Sequence, residues 1–307
     1  MSSFPLFTLN TGATLPSVGL GTWQSSDEDA YKAVLAALDC GYRHIDTAAI
    51  YRNEEPVGRA IRDSKVPRSE LFVTTKLWCT QQREPEAALD ASLKRLGLDY
   101  VDLYLMHWPV CLNVDNVKDD NYLVIPTKAD GSRDVDIEGW NFVKTWEHMQ
   151  KLPQTGKTKA IGVSNFSINN LKEILKPELG FTVPAANQIE IHPQLAQDEL
   201  IDFCKSKGIV VEAYSPLGSS SSTLLSDPEI AEVADKYKVE PAQVLINWGV
   251  ARGYCVLPKS TNPKRIESNF KSFNLSSEDT QRVSEITKKL GVKRYVDPNW
   301  KPFKAFV

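Results

Sequence analysis

The chain has 307 residues, and its content of charged residues (24%) and hydrophobic residues (42%) is ordinary for a globular protein. Its formal net charge of -3 at pH 7 gives no reason to expect binding to DNA, RNA or an anionic membrane. No run of about 18 consecutive apolar residues occurs, so no membrane-spanning helix is expected. The N-terminal segment lacks the basic start and long apolar stretch of a secretory signal, which favours a cytoplasmic location.

Short apolar or β-branched segments recur along the chain and alternate with helical patterns. Eight of them predict strands, and these begin at Val18, Tyr42, Glu70, Tyr100, Lys159, Ala185, Gly208 and Gly253. Strands that alternate with helices of this size form a parallel sheet, and eight such units indicate a (β/α)8 barrel. A doubly wound open sheet is the main alternative. No linker-like segment interrupts the pattern, so residues 1–307 are expected to form one domain.

Local signals mark several helix ends and three additions to the repeating pattern. Ser25 stands three residues before Glu28, which is the spacing of a capping box, and another helix is predicted between Pro85 and Gly97. The first residues predict a β-hairpin that turns at residues 10–12 and closes the far end of the barrel. A long polar loop at residues 110–139 follows the fourth strand, and an aromatic tail begins near residue 291. Long loops of this kind usually serve binding, so both are expected to lie over the active site.

Polar side chains stand where the predicted strands end, which is where barrel enzymes carry their active sites. Lys76 lies in the strand-like run FVTTKLW, and a buried ammonium is costly unless it is paired; the neighbouring strand ends at Asp46. Such a pair is expected to lower the pKa of Tyr51 and to make its phenol a general acid, with His107 beside the same substrate oxygen. Considered singly, Lys76 is explained as a salt-bridged lysine, His107 as a core histidine and Tyr51 as a tyrosine next to a turn. Considered together with Asp46, they favour a catalytic function.

Four tryptophans, Trp23, Trp78, Trp108 and Trp300, are candidates for the walls of a small-molecule pocket, although each alone reads as a core aromatic. The segment LPKSTNPKRIESN follows the last predicted strand and opens a helix. Its Lys259, Ser260, Arg265 and helix N-terminus can converge on a phosphate; a solvated basic turn is the alternative. The G-x-G at Gly19 lacks the third glycine of a dinucleotide fingerprint. No metal site is expected, because the five cysteines are scattered and no metal-binding motif occurs.

Long motifs along essentially the whole chain resemble the aldo-keto reductase family. They are GYRHIDTAAIYRNEEPVGRAI, YVDLYLMHWP, GKTKAIGVSNFS, QIEIHP, AYSPLG and LPKSTNPKRIESN. The nearest likeness is to fungal members that act with NADP(H) on glycerol-type or keto-ester substrates. The resemblance implies an (α/β)8 barrel that binds NADPH or NADP without a Rossmann domain, and a catalytic tetrad of Asp46, Tyr51, Lys76 and His107.

The resemblance also assigns residues around the cofactor and substrate. The implied cofactor-binding residues are Thr22, Trp23, Asp46, Ser164, Asn165, Gln188, Tyr214, Ser215, Leu217, Ser219, Lys259, Ser260, Asn262, Arg265, Ser268 and Asn269. The implied substrate-binding residues are Trp23, Tyr51, Trp78, His107, Trp108 and Trp300. Ser268 departs from the family pattern, because many relatives carry an acid there that contacts adenine.

These observations predict a reversible, NADPH-dependent reduction of aldehydes or ketones to alcohols, with Tyr51 as the proton donor. A xylose-type aldose reductase is the alternative within enzymes. A non-catalytic NADPH-sensing subunit and a bulk structural role are alternatives of other classes, and the intact tetrad argues against both. A small-molecule carbonyl or alcohol is the expected partner, and a monomer is expected because no long exposed apolar stripe is evident.

Overall fold

The computed structural model describes residues 4–115, 117, 121–219 and 221–307. The strands within them are β1 (Leu6–Thr8), β2 (Thr14–Pro16), β3 (Leu20–Gly21), β4 (His44–Asp46), β5 (Phe72–Leu77), β6 (Val101–Met106), β7 (Cys111–Leu112), β8 (Val135–Asp136), β9 (Thr158–Ser164), β10 (Ala186–Glu190), β11 (Val210–Tyr214) and β12 (Cys255–Leu257). The helices are α1 (Asp27–Asp39), α2 (Glu54–Asp63), α3 (Pro85–Leu96), α4 (Phe142–Met149), α5 (Ile168–Ile174), α6 (Asp198–Ser206), α7 (Pro228–Tyr237), α8 (Pro241–Ala251), α9 (Pro263–Asn269), α10 (Ser277–Ser284) and α11 (Ile286–Leu290).

Eight of the described strands form one parallel sheet in the order β12-β11-β10-β9-β6-β5-β4-β3. The two ends of this sheet meet, because the Val256 N–H donates to the Ser17 carbonyl at 2.8 Å and the Gly19 N–H donates to the Val256 carbonyl at 3.0 Å. The sheet is therefore a closed barrel. The predicted (β/α)8 barrel is confirmed, and each predicted strand segment overlaps one barrel strand; the open-sheet alternative is wrong.

The helices cover the outside of the barrel, and their ends follow local chemistry. α3 begins at a proline and ends before Gly97, whose φ of 63° lies in the left-handed region that glycine adopts at low cost. Gly58 lets α2 lie against the end of α3, because a Cβ at this position would be 1.8 Å from the Leu96 carbonyl oxygen. Among the described residues, no helix is long and apolar enough to cross a membrane.

The start of α1 differs by one residue from the prediction. Ser26, not Ser25, is the N-cap, and its hydroxyl accepts a hydrogen bond from the Asp29 N–H at 3.2 Å. Ser25 is buried instead, and its carbonyl accepts a hydrogen bond from the Asn53 side chain at 3.2 Å. Both serines stand three residues before an acid, so the spacing alone does not distinguish them.

The predicted N-terminal hairpin is confirmed: β1 and β2 pair antiparallel, and Phe7 lies opposite Leu15. Leu9 and Leu15 are buried and pack with Phe72 and Leu103 of the barrel strands. This contact lies near the beginnings of the strands, so the hairpin closes the end of the barrel opposite their carboxyl ends.

The tail and the loop after β6 meet over the carboxyl ends of the barrel strands. Trp300 and Phe306 of the tail pack on Trp108, with ring centroids 5.4 and 5.9 Å apart. From the loop, the Val124 carbonyl accepts a hydrogen bond from the Trp78 indole at 2.8 Å. The loop and the tail therefore both lie over the strand ends, as predicted. They contact the tryptophans at those ends.

Candidate active site

The carboxyl ends of the barrel strands open into a cavity of about 530 Å³. Most of the predicted site residues line it: Trp23, Asp46, Tyr51, Trp78, His107, Trp108, Ser164, Asn165, Gln188, Tyr214, Ser215, Leu217, Ser219, Lys259 and Trp300. These residues come from many different strand ends and from the tail, and only the closed barrel brings them to one place.

Lys76 lies beneath the cavity floor and is completely buried. Its ammonium donates to both oxygens of Asp46, at 2.7 and 2.9 Å, and to the Thr47 carbonyl at 2.9 Å. Burial lowers the pKa of Lys76, but the charge of Asp46 and the Tyr51 phenol more than offset this, and the pKa lies above its ordinary value. The predicted Asp46–Lys76 ion pair is confirmed, and the Lys76 ammonium stays charged beside Tyr51.

The Tyr51 hydroxyl lies 3.4 Å from the Lys76 ammonium. Burial raises the pKa of the Tyr51 phenol, and the ammonium lowers it by a smaller amount, so the pKa stays above its ordinary value. The predicted net lowering is therefore wrong, because desolvation outweighs the neighbouring charge. The consequence is chemical: at neutral pH the phenol is protonated and holds a hydrogen that it can donate.

His107 lies on the other side of Tyr51, with ring centroids 5.7 Å apart at 77°. Burial, reinforced by the charge of Lys76, holds the pKa of His107 well below its usual range. The imidazole is therefore neutral at physiological pH and retains one N–H. A neutral imidazole of this kind donates a hydrogen bond to a substrate oxygen without competing with the phenol for the proton.

A chain of hydrogen bonds fixes the side chains on the opposite wall. Tyr214 donates to the Asn165 side-chain oxygen at 2.7 Å, and the Asn165 amide donates to the His107 carbonyl at 2.9 Å. Asn165 adopts a φ of 63° and Ser215 a φ of 50°, both in the left-handed region. Non-glycine residues hold such a backbone only where the surroundings impose it, and they concentrate at functional sites.

Gln188 links the ion pair to a second buried carboxylate. Its amide nitrogen donates to Asp46 at 2.8 Å and to Glu212 at 3.0 Å, which leaves its carbonyl oxygen as an acceptor. Burial, together with the Asp46 charge, raises the pKa of Glu212 to about 7. Sequence reasoning missed Glu212, although a charged residue inside the apolar run GIVVEAY is the same signal that identified Lys76.

His44, Glu212 and Cys255 form a fully buried cluster below the site, within 4.8 Å of one another. The sulfur of Cys255 and the Nδ1 atom of His44 both face the Pro16 carbonyl, at 3.4 and 3.3 Å. Burial lowers the pKa of His44 to about 4 and raises the pKa of Cys255 well above its ordinary value. His44 and Cys255 are thus neutral at physiological pH, whereas Glu212, with a pKa of about 7, is partly ionised there.

The remaining predicted cofactor residues do not line the cavity. Thr22 is buried and donates to the Asp46 carbonyl at 3.0 Å, which positions the strand end that carries Asp46. The others lie on or just before α9, namely Ser260, Asn262, Arg265, Ser268 and Asn269.

The amino end of α9 is already capped. The Asn262 side chain accepts from the Lys264 and Arg265 N–H groups at 3.0 and 3.3 Å. A side chain of the protein satisfies these two N–H groups, so the phosphate site at this segment, which stays a prediction, depends mainly on the side chains. Ser268 donates to Glu240 at 2.7 Å. The side chains of Lys259 and Arg265 are exposed and remain available to an anion.

Several lining residues were missed, and they belong to the two segments without periodic patterning. Ile125 and Arg133 come from the long loop, and Val296 and Pro298 come from the tail. Glu190 lies at a strand end, as the sequence predicts, but its role in holding the tail was not foreseen. Its carboxylate accepts from the Val296 N–H at 2.9 Å and from His192 at 2.8 Å, which fixes the tail to the end of β10.

Comparisons with known proteins agree with this geometry. A family model described as the aldo/keto reductase family matches residues 17–288. Two Saccharomyces cerevisiae proteins are similar over nearly their full length. Glycerol 2-dehydrogenase (NADP(+)) is 66% identical, covering 99% of this chain and 97% of that protein, and aldehyde reductase YPR1 is 63% identical, covering 97% and 96%. The structure of the aldose reductase from Schistosoma japonicum superimposes with a TM-score of 0.85 at 36% identity, covering 95% of this chain and 94% of that one.

Proposed function

Because the chain belongs to the aldo/keto reductase family, we propose that it is an NADP(H)-dependent oxidoreductase that reversibly reduces aldehydes and ketones to alcohols. The observation that carries this proposal is the grouping at the cavity floor. A protonated phenol, Tyr51, lies 3.4 Å from the buried ammonium of Lys76, and the neutral imidazole of His107 lies beside it. This set supplies one proton and one hydrogen bond to a single carbonyl oxygen.

The residues of this chain suit the cofactor. The side-chain carbonyl oxygen of Gln188 has no described donor, and the hydroxyl of Ser164, which donates to the Gln188 backbone carbonyl, lies with the Asn165 side chain on the same cavity wall. These groups suit a nicotinamide carboxamide. Tyr214 presents its ring to the same cavity. The exposed cations Lys259 and Arg265 suit the 2'-phosphate that distinguishes NADPH from NADH. A nicotinamide held there supplies a hydride to the carbonyl carbon.

The electrostatics of the four residues Asp46, Tyr51, Lys76 and His107 explain how the proton is transferred. As the substrate oxygen gains negative charge, Tyr51 donates its phenolic hydrogen to that oxygen, and His107 holds the oxygen with an N–H group. The phenolate that remains is stabilised by the Lys76 ammonium. Asp46 holds the ammonium in place. In the reverse direction the phenolate takes the proton from an alcohol.

For substrates, we propose small aldehydes and ketones together with glycerol-type alcohols. The similarity to glycerol 2-dehydrogenase (NADP(+)) and to aldehyde reductase YPR1 supports this class. The cavity supports it too, because the tryptophans Trp78, Trp108 and Trp300 wall in a volume suited to compact molecules.

The test is a steady-state assay of nicotinamide absorbance with NADPH and NADH. Substrates are glyceraldehyde, dihydroxyacetone, a β-keto ester and xylose, with glycerol and NADP for the reverse reaction. We expect turnover of several carbonyl compounds with NADPH and much weaker activity with NADH. A preference for xylose identifies the aldose-reductase alternative. Tight NADPH binding without turnover of any carbonyl compound contradicts the proposal and identifies a nucleotide-sensing subunit.

We also infer that residues 1–307 work as one barrel unit, monomeric and cytoplasmic. In support of a monomer, the most exposed large apolar side chains lie on three separate segments: Leu6 in the hairpin, Ile137 in the loop, and Val292 and Val307 in the tail. Light scattering coupled to size-exclusion chromatography tests the oligomeric state; a mass of twice the chain contradicts the inference.

A further inference from the structure

Arg133 places a guanidinium group in the wall of the active-site cavity. The residue is half-buried and lies on the long loop, three residues before Asp136. Its guanidinium carbon lies 4.3 Å from the centre of the Trp300 ring, in a cation–π contact. Its Nη1 atom is buried, and no described residue accepts a hydrogen bond from it.

The charge of Arg133 is also unpaired within the described part of the chain. Two nearby acids have other partners, because Asp136 pairs with Arg83 and Asp130 accepts a hydrogen bond from Ser132, and the described residues contain no ion pair between Arg133 and the adjacent Asp134. Burial lowers the pKa of Arg133, yet an arginine keeps its charge at physiological pH. A half-buried guanidinium that has no described counter-charge and faces a substrate cavity is well placed to bind an anion from outside.

The position of Arg133 relative to the catalytic groups indicates how far the anionic group lies from the reacting carbonyl of the substrate. The ring of Trp300, on which Arg133 lies, is 6.4 Å from that of Trp78, and Trp78 is 5.4 Å from His107. A molecule whose carbonyl oxygen is held by His107 therefore extends past Trp78 and Trp300 before it reaches the guanidinium. The anionic group must be several bonds away from the carbonyl.

We propose that Arg133 binds a carboxylate of the substrate, and that the preferred substrates are aldehydes or ketones that carry a carboxylate remote from the reacting carbonyl. A planar guanidinium presents paired N–H groups that match a carboxylate in geometry and charge. The contact with Trp300 holds the guanidinium at the cavity wall, and its Nη1 atom has no described partner and is available for this pairing. This inference rests on the proposed function and adds to it the chemical class of the substrate.

The experiment compares two substrates of the same shape and different charge, 4-carboxybenzaldehyde and its methyl ester, methyl 4-formylbenzoate. We expect the native enzyme to favour the carboxylate by about tenfold or more in kcat/KM, mainly through KM, and the preference to shrink as ionic strength rises. Arg133→Met keeps an unbranched side chain but removes the charge, so kcat/KM for the carboxylate should fall much more than kcat/KM for the ester, and the preference should disappear.

Arg294→Met is the matched control. Arg294 also lies over an aromatic ring of the tail, 3.7 Å from the centre of Phe306, but it does not line the active-site cavity. This variant is expected to retain the carboxylate preference of the native enzyme. A native enzyme without that preference overturns the proposal, as does an Arg133→Met variant in which both substrates lose activity equally.

A binding measurement separates this inference from the proposed function. The ligands are 4-carbamoylbenzoate and its methyl ester, which carry an unreactive amide in place of the aldehyde, and the readout is tryptophan fluorescence. Tighter binding of the acid to the native protein but not to Arg133→Met supports the subsite even if no aldehyde is reduced. Equal binding of the acid and its methyl ester overturns the proposed carboxylate subsite. The proposed function is then still tested separately, by reduction of the neutral aldehyde methyl 4-formylbenzoate.

Discussion

The carboxylate of Glu190 accepts a hydrogen bond from the backbone N–H of Tyr295, 2.7 Å away. This contact connects the end of a barrel strand to the tail that carries Trp300. Burial raises the pKa of Glu190, but its hydrogen bonds with His192 and with the tail N–H groups outweigh burial, and the pKa lies below its ordinary value. Because the pKa is lowered in the folded protein, the tail attachment is complete above the ordinary glutamate pKa and weakens as the pH falls.

Glu190→Gln is expected to loosen the tail, because a neutral amide is a weaker acceptor for two backbone N–H groups. Since the tail supplies Val296 and Trp300 to the cavity, KM for aromatic aldehydes should rise several-fold while the Kd for NADPH stays within about twofold. Steady-state kinetics and NADPH fluorescence titration measure the two effects. Glu285→Gln, which removes an exposed partner of Lys288, is the control; an unchanged KM in Glu190→Gln contradicts the role of the tail.

Tyr51→Phe removes the hydroxyl and keeps the ring. We expect kcat to fall by roughly 10² to 10⁴, since general acid catalysis is lost, while NADPH still binds with a Kd within about twofold of the native value. Tyr31→Phe is the matched control, because the Tyr31 hydroxyl bonds only to Asp63 on the surface among the described residues. Native-like kcat in Tyr51→Phe would show that another group donates the proton.

The Asp46–Lys76 pair is tested by a double-mutant cycle. Lys76→Met leaves a buried carboxylate without its counter-charge and should lower the free energy of unfolding by about 3 to 5 kcal/mol. The double variant Asp46→Asn with Lys76→Met should recover much of that stability but none of the activity, because the phenol still lacks an ammonium. Denaturant unfolding and kcat are measured for all four proteins. Recovery of activity along with stability would assign the pair a purely structural role.

Glu212 makes stability depend on pH. Its folded pKa of about 7 exceeds the ordinary 4.5, so the folded state binds more protons between these values, and stability falls as the pH rises through this window. At pH 8 this carboxyl costs on the order of 3 kcal/mol relative to pH 4.5. The free energy of unfolding of Glu212→Gln should therefore exceed that of the native protein by a larger amount at pH 8 than at pH 5. Denaturant unfolding at the two pH values measures this.

A variant at an exposed glutamate is the control for this comparison. Glu147→Gln should leave the difference between the two pH values as it is in the native protein. If Glu212→Gln shows the same pH dependence as the native chain, then Glu212 is not the group that titrates in this window.

The preference for NADPH should depend on side-chain charge near α9. Lys259 lines the cavity and is exposed, so Lys259→Met should raise KM for NADPH about tenfold or more and leave KM for NADH nearly unchanged. Lys264→Met is the matched control, because Lys264 is an exposed cation on α9 that does not line the cavity. Equal effects on both cofactors would mean that Lys259 does not recognise the 2'-phosphate.

Regular elements made much of the site predictable from sequence. Asp46, Lys76 and His107 were identified because parallel strands bring their carboxyl ends to one edge, and this regularity needs no knowledge of loops. The direction of the Tyr51 pKa shift was not predictable, because it depends on how much water the fold removes. Arg133 was missed for a different reason: residues 110–139 have no periodicity, so nothing in the sequence says which of their side chains face the cavity.

The hairpin that fills one end of the barrel has a kinetic consequence. With Leu9 and Leu15 occupying that end, nucleotide and substrate share the mouth at the other. The proposed nicotinamide contacts lie on the strand ends, and Trp300 covers them from the tail. If the nucleotide binds at these strand ends as proposed, we expect it to arrive before the carbonyl compound and to leave after the alcohol, and product-inhibition kinetics test this order.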